Sequence, residues 1–581
     1  MDAGTPRSLA ASLGVLVLAG GVYLNALHNP FVYDDHHLVV ANASIQHVAN
    51  LRAIVLHDVT RPVVSLSYAI DRAFWGGDPW GFHVTSVLWH ALNALLLLML
   101  GRRLIEDCAG GAASALEAPV SQLAPFAAAA MFAVHPMLTE AVGYVGGRSE
   151  VLCTTFMLLA MLSGRRWLRG GGARWAVLTV VCWISGLAAK ESAAMFPFLL
   201  AAYDWLVNPE RGGRRWLTVH VPFVGAAVLA GVTRLVVLST LEYRGAARVQ
   251  WTLVPIALEV SRRYVTLLAW PSGQTIFHAV APIGLRSTET LFAVLVLGGL
   301  AFLAWVLRRP EPAVSFGIAW FLLLLVPSST LVLLNRGEPM AEHRIYLASC
   351  GVFLSAGVAL GWLDTRLARS GSLARLAASL GLAVLLLAYG VETVLRNTVW
   401  SDPVRLWRES VSLAPAHFRP RLLLGEALND AGHYNEAIEQ FRIAVLLRPS
   451  DPIGYGKLGL SLAQAGRLDA AAAAFEQLRA IDPGSAAAPN GLGSVALLSG
   501  HLERARTYFH EALAADPDNI PARQSLAALN ERQRGSPAEA MRLCQEIQRL
   551  APDTEGVSDC IRRNQLRLTA ERLPGVPGPT P

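Results

Sequence analysis

Long apolar runs dominate the 581-residue chain as far as Leu395 and constrain its fold more than any other feature. A helix needs about 17 to 25 apolar residues to cross the hydrocarbon core of a bilayer, and runs near this length recur. Eleven are counted, at residues 9–27, 83–100, 115–134, 139–163, 175–189, 192–207, 217–238, 291–307, 314–334, 345–363 and 376–395. The mean hydropathy of +0.40 agrees with this pattern. The sequence therefore predicts an all-α, polytopic membrane bundle of about eleven transmembrane helices.

Two apolar segments need separate interpretation. Residues 253–270 contain Arg262 and Arg263, and each arginine costs about 2.5 to 3.5 kcal/mol at a bilayer centre, so an interfacial or re-entrant helix is predicted there. The first run lacks a small-residue cleavage site and is followed by many more runs. It is therefore predicted to be a retained helix and not a removed signal peptide.

Arginine placement predicts the orientation. The basic residues lie mainly in short loops that all fall on one side of the predicted bundle: Arg7, Arg102, Arg103, Arg165, Arg166, Arg169, Arg174, Arg211, Arg214, Arg215, Arg308, Arg309, Arg366, Arg369 and Arg375. By the positive-inside rule this side is cytoplasmic, which puts the N-terminus inside and the C-terminal region outside. Because the net charge of +6 is spread over such loops, no nucleic-acid partner is predicted.

The C-terminal region repeats with a period of 34 residues. The repeated positions are Pro415, Pro449, Pro483 and Pro517, then Gly425, Gly459 and Gly493, then Gly432, Gly466 and Gly500, and then Phe441, Phe475 and Phe509. This pattern resembles tetratricopeptide repeats, in which small residues let two helices approach and proline ends the second. We predict a membrane domain at residues 1–398, an α-solenoid of about four repeats at 399–570 and a disordered tail at 571–581.

Three polar clusters interrupt the predicted outer ends of the membrane helices. The first holds Asp34, Asp35, Arg61, His83 and His90, the second holds His135, Glu140, Arg148 and Lys190, and the third holds Glu342, His343, Arg344 and Tyr346. Each has an ordinary interpretation, such as a solvated turn, a helix end, an interfacial anchor or a hydrogen bond between helices. Their occurrence on one side favours a functional site, because ionisable residues near membrane depth usually line a pathway or a site.

Taken together, these residues resemble a known family. The stretches that carry the resemblance are Phe31-Val32-Tyr33-Asp34-Asp35, Arg61-Pro62, His83 with His90, His135-Pro136-x-x-Thr139-Glu140-Ala141-Val142, Gly147-Arg148, Ala189-Lys190-Glu191 and Glu342-His343-Arg344-x-Tyr346, followed by the repeats. They are similar to the transmembrane and tetratricopeptide-repeat O-mannosyltransferases, which belong to the GT-C glycosyltransferases. The resemblance covers nearly the whole chain.

The resemblance implies an enzyme that moves a sugar, mannose or another hexose, from a polyprenyl-phosphate carrier to a Ser or Thr hydroxyl of a protein on the non-cytoplasmic side, with inversion. Asp35, or else Asp34, is expected to act as general base. The donor phosphate is expected to bind Arg344, His343, Arg148, Lys190 and Arg61, because fixed cations suit phosphate oxygens. The substrate pocket is expected to include His83, His90, His135, Glu140, Glu342 and Tyr346.

Cofactor, compartment and partner follow from the same resemblance. The paired aspartates with nearby histidines are able to hold a divalent cation, but the family is generally metal-independent, so no metal or cofactor is predicted. Scarce lysine beside abundant arginine and alanine indicates a high-GC bacterium, and hence its inner membrane with a periplasmic repeat domain. The repeats favour a protein or peptide acceptor. Cys544 and Cys560 are expected to pair only in an oxidising compartment.

Two other functions stay open at this stage. A non-catalytic membrane scaffold that presents a periplasmic repeat domain explains the repeats, but it leaves the three ionisable clusters unexplained. A glycosyltransferase acting on a lipid-linked glycan explains the clusters and leaves the repeats without a role. A transporter is disfavoured because the hydropathy shows no inverted repeat.

Overall fold

The computed structural model of the protein describes residues 6–109, 123–208, 213–237, 249–335, 337–532, 535–551, 554 and 556–572. Regular secondary structure in these ranges is helical, with no strand among them, which confirms the all-α prediction. The chain divides into two compact units between Leu406 and Trp407, where the sequence placed the boundary after residue 398. From residue 573 on, the predicted tail lies outside the described ranges.

The membrane unit is a bundle of helices of very unequal length. Its α-helices are α1 (Pro6–Gly21), α2 (Leu51–His57), α3 (Pro62–Trp75), α4 (Pro79–Ala109), α5 (Leu123–Val134), α6 (Thr139–Gly143), α7 (Arg148–Leu168), α8 (Ala173–Leu187), α9 (Phe196–Leu206), α10 (Gly213–Arg215), α11 (Val221–Val237), α12 (Val254–Ala269), α13 (Thr288–Leu307), α14 (Pro312–Leu333), α15 (Tyr346–Ser370) and α16 (Ser372–Trp400). Short 3₁₀ helices at Pro136–Leu138, Val145–Gly147, Glu191–Met195 and Glu342–Ile345 precede or join the long ones. The short elements coincide with the polar motifs of the sequence.

Among the described residues, eight helical stretches are long and apolar enough to cross a membrane. They are Ser8–His28, Pro79–Cys108, Val145–Leu168, Gly213–Thr233, Thr288–Leu307, Pro312–Leu333, Glu342–Leu367 and Ser372–Trp400, and the pair Leu123–Val134 and Pro136–Gly143, bent by 54°, makes a ninth if it is one span. The described residues thus hold eight or nine such stretches, where the sequence predicts eleven. The two surplus runs form α8, with 15 residues, and α9, with 11, both shorter than the roughly 20 residues that a bilayer requires.

The predicted non-spanning segment forms α12, a helix of 16 residues. Its two arginines do not face the bilayer alone, because Glu259 accepts hydrogen bonds from Arg262 at 2.7 Å and from Arg263 at 2.9 Å. Pairing within one helix turn removes most of the charge penalty that a lone arginine carries in a membrane. An interfacial helix therefore remains the best interpretation of α12.

Helices α14 and α15 pack closely because glycines face each other between them. A methyl group on Gly317 would collide with the carbonyl oxygen of Gly351, and one on Gly351 would collide with that of Gly317. A methyl group on Gly357 would likewise lie only 2.5 Å from the Ala124 carbonyl oxygen of α5. Such backbone approach is the usual way that helices associate in a bilayer, where hydrophobic burial adds little.

The repeat unit consists of antiparallel helix pairs. Its helices, beginning with α17, which contains the division between the units, are α17 (Pro403–Leu413), α18 (Phe418–Asp430), α19 (Tyr434–Leu447), α20 (Pro452–Gln464), α21 (Leu468–Ile481), α22 (Ala487–Leu498), α23 (Leu502–Ala515), α24 (Ile520–Arg532), α25 (Pro537–Leu550) and α26 (Val557–Arg572). The repeated glycine and phenylalanine meet within each pair: a methyl group on Gly425 would lie 2.6 Å from the Phe441 ring. The predicted role of the small residues is therefore confirmed.

A disulfide joins the last two helices of the repeat unit. Cys544 on α25 is bonded to Cys560 on α26, with 6.3 Å between their Cα atoms. Both cysteines are buried, and Asn564 on the next turn donates to the Cys560 carbonyl at 2.9 Å. The bond closes the C-terminal end of the helical array.

Candidate active site

The acidic pair lies in the loop after α1, and its two members have different surroundings. Asp35 is fully buried and accepts hydrogen bonds from the Val32 N–H at 3.1 Å and the Gly146 N–H at 2.7 Å, one on each carboxylate oxygen. Burial raises the pKa of Asp35 to about 8, with the charge of Asp34 adding to the rise while the backbone donors and Arg148 oppose it. Asp34 is exposed. The loop thus holds Asp35 in the interior by backbone hydrogen bonds and leaves Asp34 exposed to solvent.

The backbone beside the acidic pair is strained. Tyr33 has a φ of +52°, a left-handed conformation that a bulky side chain rarely adopts. The next residue is fixed from the opposite side of the site, because the Asp34 N–H donates to the Tyr144 hydroxyl at 3.2 Å. Strain of this kind persists only where surrounding contacts enforce it, and it is common at functional sites.

Arg148 begins α7 and is committed to interior partners. It is fully buried, pairs with Asp71 on α3, and donates to the Phe82 carbonyl at 2.6 Å and to Ser86 at 3.2 Å. Its guanidinium also lies 4.9 Å from the centre of the Tyr68 ring. All three guanidinium nitrogens are therefore used to join α3, α4 and α7. The predicted phosphate-binding role of Arg148 is not compatible with this enclosure.

Two further ion pairs connect the elements around the site. Lys190 lies 2.8 Å from Glu150 on α7, and both side chains are buried. Arg61, at the start of α3, pairs with Glu191 at 3.1 Å and is one-third exposed. Lys190 and Glu191 are neighbours in the sequence, yet each pairs with a residue from another element: Lys190 with Glu150, and Glu191 with Arg61.

The third motif meets the second through two glutamates. His343 lies 2.7 Å from Glu140 through Nδ1, and its backbone N–H donates to the same carboxylate at 3.1 Å. Glu342 is buried and lies 2.8 Å from Nε2 of His278. Arg344 is half-buried and donates to the Glu338 carbonyl at 2.8 Å.

His278 and its neighbours were missed by the sequence reasoning. The Thr275 N–H donates to Glu342 at 2.7 Å, and Gln274 donates both to Glu342 at 3.1 Å and to the Pro136 carbonyl at 2.9 Å. These residues follow α12 in a segment without regular helix. The available signal was a histidine and a glutamine in a loop next to a non-spanning helix, although no motif pointed to them. Asp71 and Glu150 were missed as partners of the named cations.

Electrostatic interactions show which predicted residues come together. The charges of Lys190, Arg344 and Arg61 all act on His343. Asp35 and Arg61 in turn both act on the Tyr68 hydroxyl. Asp35 accepts from the Gly146 N–H, and Lys190 Nζ lies 3.5 Å from the Ser149 hydroxyl, so the acidic loop and the cations around His343 border the same short stretch of chain before and at the start of α7.

The other predicted pocket residues lie in the packed interior. His90 contacts the Tyr346 hydroxyl at 2.8 Å and the Ala133 carbonyl at 3.1 Å, one through each ring nitrogen. His135 accepts from the Met137 N–H at 3.2 Å and contacts the Leu268 carbonyl at 3.1 Å. His83 is buried against the Asn29 carbonyl at 3.0 Å. These four side chains join helices and helix ends, which matches the ordinary interpretation that the sequence also allowed.

Among the described residues, no group of three or more His, Cys, Asp or Glu side chains is arranged to hold a metal ion. The members of each glutamate–histidine pair contact each other, and backbone N–H groups donate to both glutamates.

Comparison with known proteins agrees with the repeats. Tetratricopeptide repeat family models match residues 422–486 and 462–530. The chain is 25% identical over 555 residues to the protein O-mannosyl-transferase Tmtc1 of Drosophila melanogaster, covering 76% of this chain and 62% of that protein. It is 24% identical over 517 residues to TMTC1 of Homo sapiens, covering 76% and 56%. The chain is a relative of the transmembrane and tetratricopeptide-repeat O-mannosyltransferases.

This relationship confirms the resemblance noted in the sequence. The chain spans about three-fifths of the length of these O-mannosyltransferase relatives. Among solved structures, a thermophilic tetratricopeptide-repeat protein of Thermus thermophilus is 19% identical and covers 31% of this chain and 95% of its own, with a TM-score of 0.26. A likeness with that score adds nothing to the repeat assignment.

Proposed function

We propose that this chain is a membrane glycosyltransferase that moves a hexose, mannose first among them, from a polyprenyl-phosphate carrier to a Ser or Thr hydroxyl of a protein on the non-cytoplasmic side. One observation carries the proposal: a strained loop, held by Asp35 on Gly146, presents the exposed Asp34, while Lys190 reaches Ser149 in the same short stretch of chain and acts with Arg344 and Arg61 on His343. Acid and cations are what transfer from a lipid phosphate requires. The printed names of the relatives support the same reaction.

The proposal assigns proton acceptance to Asp34 and loop positioning to Asp35. A general base must come within about 2.6 to 3.2 Å of the acceptor hydroxyl, and this favours the exposed carboxylate over the fully buried one. Asp35 has backbone donors on both oxygens, whereas Asp34 is exposed on the same turn. The preference for Asp35 drawn from the sequence is therefore reversed.

The donor phosphate is assigned to the half-buried Arg344, His343 and Arg61. Arg344 and His343 are adjacent before α15, and the charges of Lys190, Glu150 and Arg61 act on the His343 ring. A guanidinium matches two phosphate oxygens at once, so Arg344 is the first candidate for the clamp. Glu140 holds the His343 ring, and Glu342 with His278 holds the segment behind it. Arg148 is left out of the clamp.

The reaction follows as a single displacement. The acceptor oxygen attacks the anomeric carbon and gives its proton to Asp34, while the bond between that carbon and the lipid phosphate oxygen breaks. The departing phosphate takes the electron pair, and its charge is met by Arg344 and its neighbours. Attack opposite the leaving group inverts the anomeric carbon.

The orientation and the partners are part of the proposal. Arginine placement favours a cytoplasmic N-terminus and a repeat unit in the periplasm of a bacterial inner membrane. The Cys544–Cys560 disulfide supports an oxidising compartment for the repeats. A solenoid surface suits an extended polypeptide, so the acceptor is proposed to be a protein that the repeats bind. No cofactor beyond the lipid-linked donor is proposed.

The test is transfer of labelled hexose. Membranes holding the protein are incubated with polyprenyl-phosphate mannose, and periplasmic proteins are searched by mass spectrometry for added hexose. Asp34→Asn should lower the rate about 10² to 10⁴-fold, because proton transfer contributes that much. Asp78→Asn, an exposed acid in the loop before α4, is the matched control and should transfer normally. Equal transfer by Asp34→Asn and wild type would overturn the base assignment.

Two further measurements in the same assay separate the alternatives. A rate that rises through about pH 8 assigns the base to Asp35, whose pKa burial raises to that value. Arg344→Gln should raise the KM for the donor about tenfold or more, because it removes a charge-assisted hydrogen bond to phosphate. Hexose found on a lipid-linked glycan only, or none with any donor, favours the glycan enzyme or the scaffold, respectively.

A further inference from the structure

A second polar pocket lies at the other end of α7. It has a volume of about 290 Å³ and is lined by Trp167, Leu168, Arg169, Gly170, Arg215 and Val219. Helix α7 has 21 residues and begins at Arg148, so the pocket is about 30 Å from the candidate active site. The pocket shares no residue with that site, and a ligand bound there would not depend on the proposed function.

Buried carboxylates hold the two arginines in the pocket wall. Arg169 reaches Asp107 at 3.3 Å, and Arg215 reaches Asp204 at 3.0 Å. Both aspartates are buried, while Arg169 is about one-third exposed at 35% and Arg215 about one-quarter at 24%. Each guanidinium is therefore held by a buried carboxylate, while part of each arginine side chain stays exposed to solvent.

One of these carboxylates is shared between two arginines. Asp107 also accepts two hydrogen bonds from Arg165 and one from the Tyr203 hydroxyl at 2.7 Å. Arg166, Arg174 and Arg214 lie nearby in the chain. The C-terminal dipole of α7 accounts for cations on its last turn, but Arg215 belongs to another helix. An anion in the pocket would meet two arginines, and the lining residues that the structure describes include no acid.

The pocket opens at the foot of an apolar, outward-facing helix. The stretch Gly213–Thr233 is among the least buried of the candidate spans, at 11%. Large side chains along it face outward, including Leu217 at 70% exposed and Leu229 at 67%. An acyl chain lying along this helix would place its headgroup beside Arg215. Trp167 lines the same pocket, and tryptophan is enriched at membrane interfaces.

We propose that this pocket binds the phosphate headgroup of an anionic phospholipid, with Arg169 and Arg215 on the phosphate and the acyl chains along α11. Guanidinium forks match phosphate oxygens, and basic pockets between membrane helices are suited to lipid headgroups. Free phosphate offers the same oxygens but makes no use of the apolar face. The lipid would fasten α7 to α11 at this end of the bundle.

The experiment measures which lipid stays with the full-length protein. The protein is reconstituted in nanodiscs with equal phosphatidylcholine and phosphatidylglycerol, released into mild detergent, and its retained lipids are counted by native mass spectrometry. Wild type should enrich phosphatidylglycerol, and Arg169→Gln/Arg215→Gln should lose about tenfold or more of that preference, because it removes the charge-assisted hydrogen bonds that the two guanidinium groups make to the phosphate. The matched control Arg174→Gln/Arg214→Gln removes two charges at the same end outside the pocket lining and should retain the lipid.

Three outcomes decide the assignment. Equal loss in the pocket variant and the control would show general surface attraction and overturn the site. Inorganic phosphate that binds wild type without any phosphatidylglycerol enrichment would replace the lipid with a free anion. If the glutamine variant does not fold, Arg169→Lys/Arg215→Lys keeps the charge and loses only the paired guanidinium hydrogen bonds. This variant should enrich phosphatidylglycerol less than both wild type and the control, and full enrichment would overturn the bidentate contact.

Discussion

The two units place their charged side chains in opposite surroundings. In the repeat unit, the pair Arg442–Glu439 lies one helix turn apart with both side chains at least half exposed, at 50% and 61%. In the membrane unit, Arg148 is 0% exposed and Asp71 is 4% exposed, and they come from different helices. A surface pair contributes little, whereas a buried charge is tolerated only with its partner. Buried ionisable residues of the membrane unit such as Arg148 and Asp71 therefore serve mainly as partners for each other. The partly exposed ionisable residues are the ones available for chemistry.

The largest expected effect comes from breaking a buried pair. Arg148→Ala should lower the free energy of unfolding by about 3 to 5 kcal/mol, because Asp71 is left charged and buried. Arg442→Ala in the repeat unit should lower it by less than about 1 kcal/mol. The measurement is unfolding of the detergent-solubilised chain, with hydrogen exchange assigning the loss to α7 or to α19.

A second variant separates pairing from packing in that comparison. Asp71→Asn added to Arg148→Met removes both charges, and it should recover part of the stability that Arg148→Ala loses. If the double variant is as unstable as the single one, the guanidinium contacts with Phe82 and Tyr68 carry the effect instead. Equal losses in the two units would remove the distinction altogether.

The same contrast explains what the sequence could predict. In the repeat unit each structural position recurs every 34 residues. The repeated Gly425 and Phe441 therefore predict a contact between two helices, and the structure contains that contact. Helix pairs, turns and inter-helix contacts follow from local spacing. In the membrane unit the apolar runs predict helices well, but a run does not reveal whether its helix is long enough to span, as α8 and α9 demonstrate.

The site was predictable as a set of motifs and not as a set of contacts. The sequence predicted that Arg61, Lys190 and Arg344 lie on one side of the bundle, but it did not predict their contacts. Contacts in this region join residues far apart in the chain, as His343 and Glu140 do across 203 positions. Burial was also invisible, and it decides between two adjacent aspartates, one inside and one outside. Neither periodicity nor charge spacing encodes which side of a turn faces the interior.

The next largest effect concerns the end of the repeat unit. Cys544→Ser/Cys560→Ser should lower its stability by about 3 kcal/mol, since the bond closes a loop with a sequence separation of 16. Reductant should produce the same change in wild type and none in the variant. Hydrogen exchange of α25 and α26 measures it, and the membrane helices should not respond. If the cysteines react with a thiol reagent in freshly isolated membranes, the repeats do not lie in an oxidising compartment.

The smallest effect compares one glycine from each unit. Gly432 ends α18 with φ at +79°, and a methyl group there would meet nothing within 4 Å, so only backbone strain opposes alanine. Gly432→Ala should destabilise the turn before α19 by about 1 kcal/mol. Gly381 lies inside α16 with equally open space, and Gly381→Ala should be neutral or slightly stabilising, because the helical backbone is one that alanine prefers. Hydrogen exchange at the two sites measures both changes. A loss at Gly381 equal to that at Gly432 would mean that α16 packs against a partner that its exposed face does not reveal.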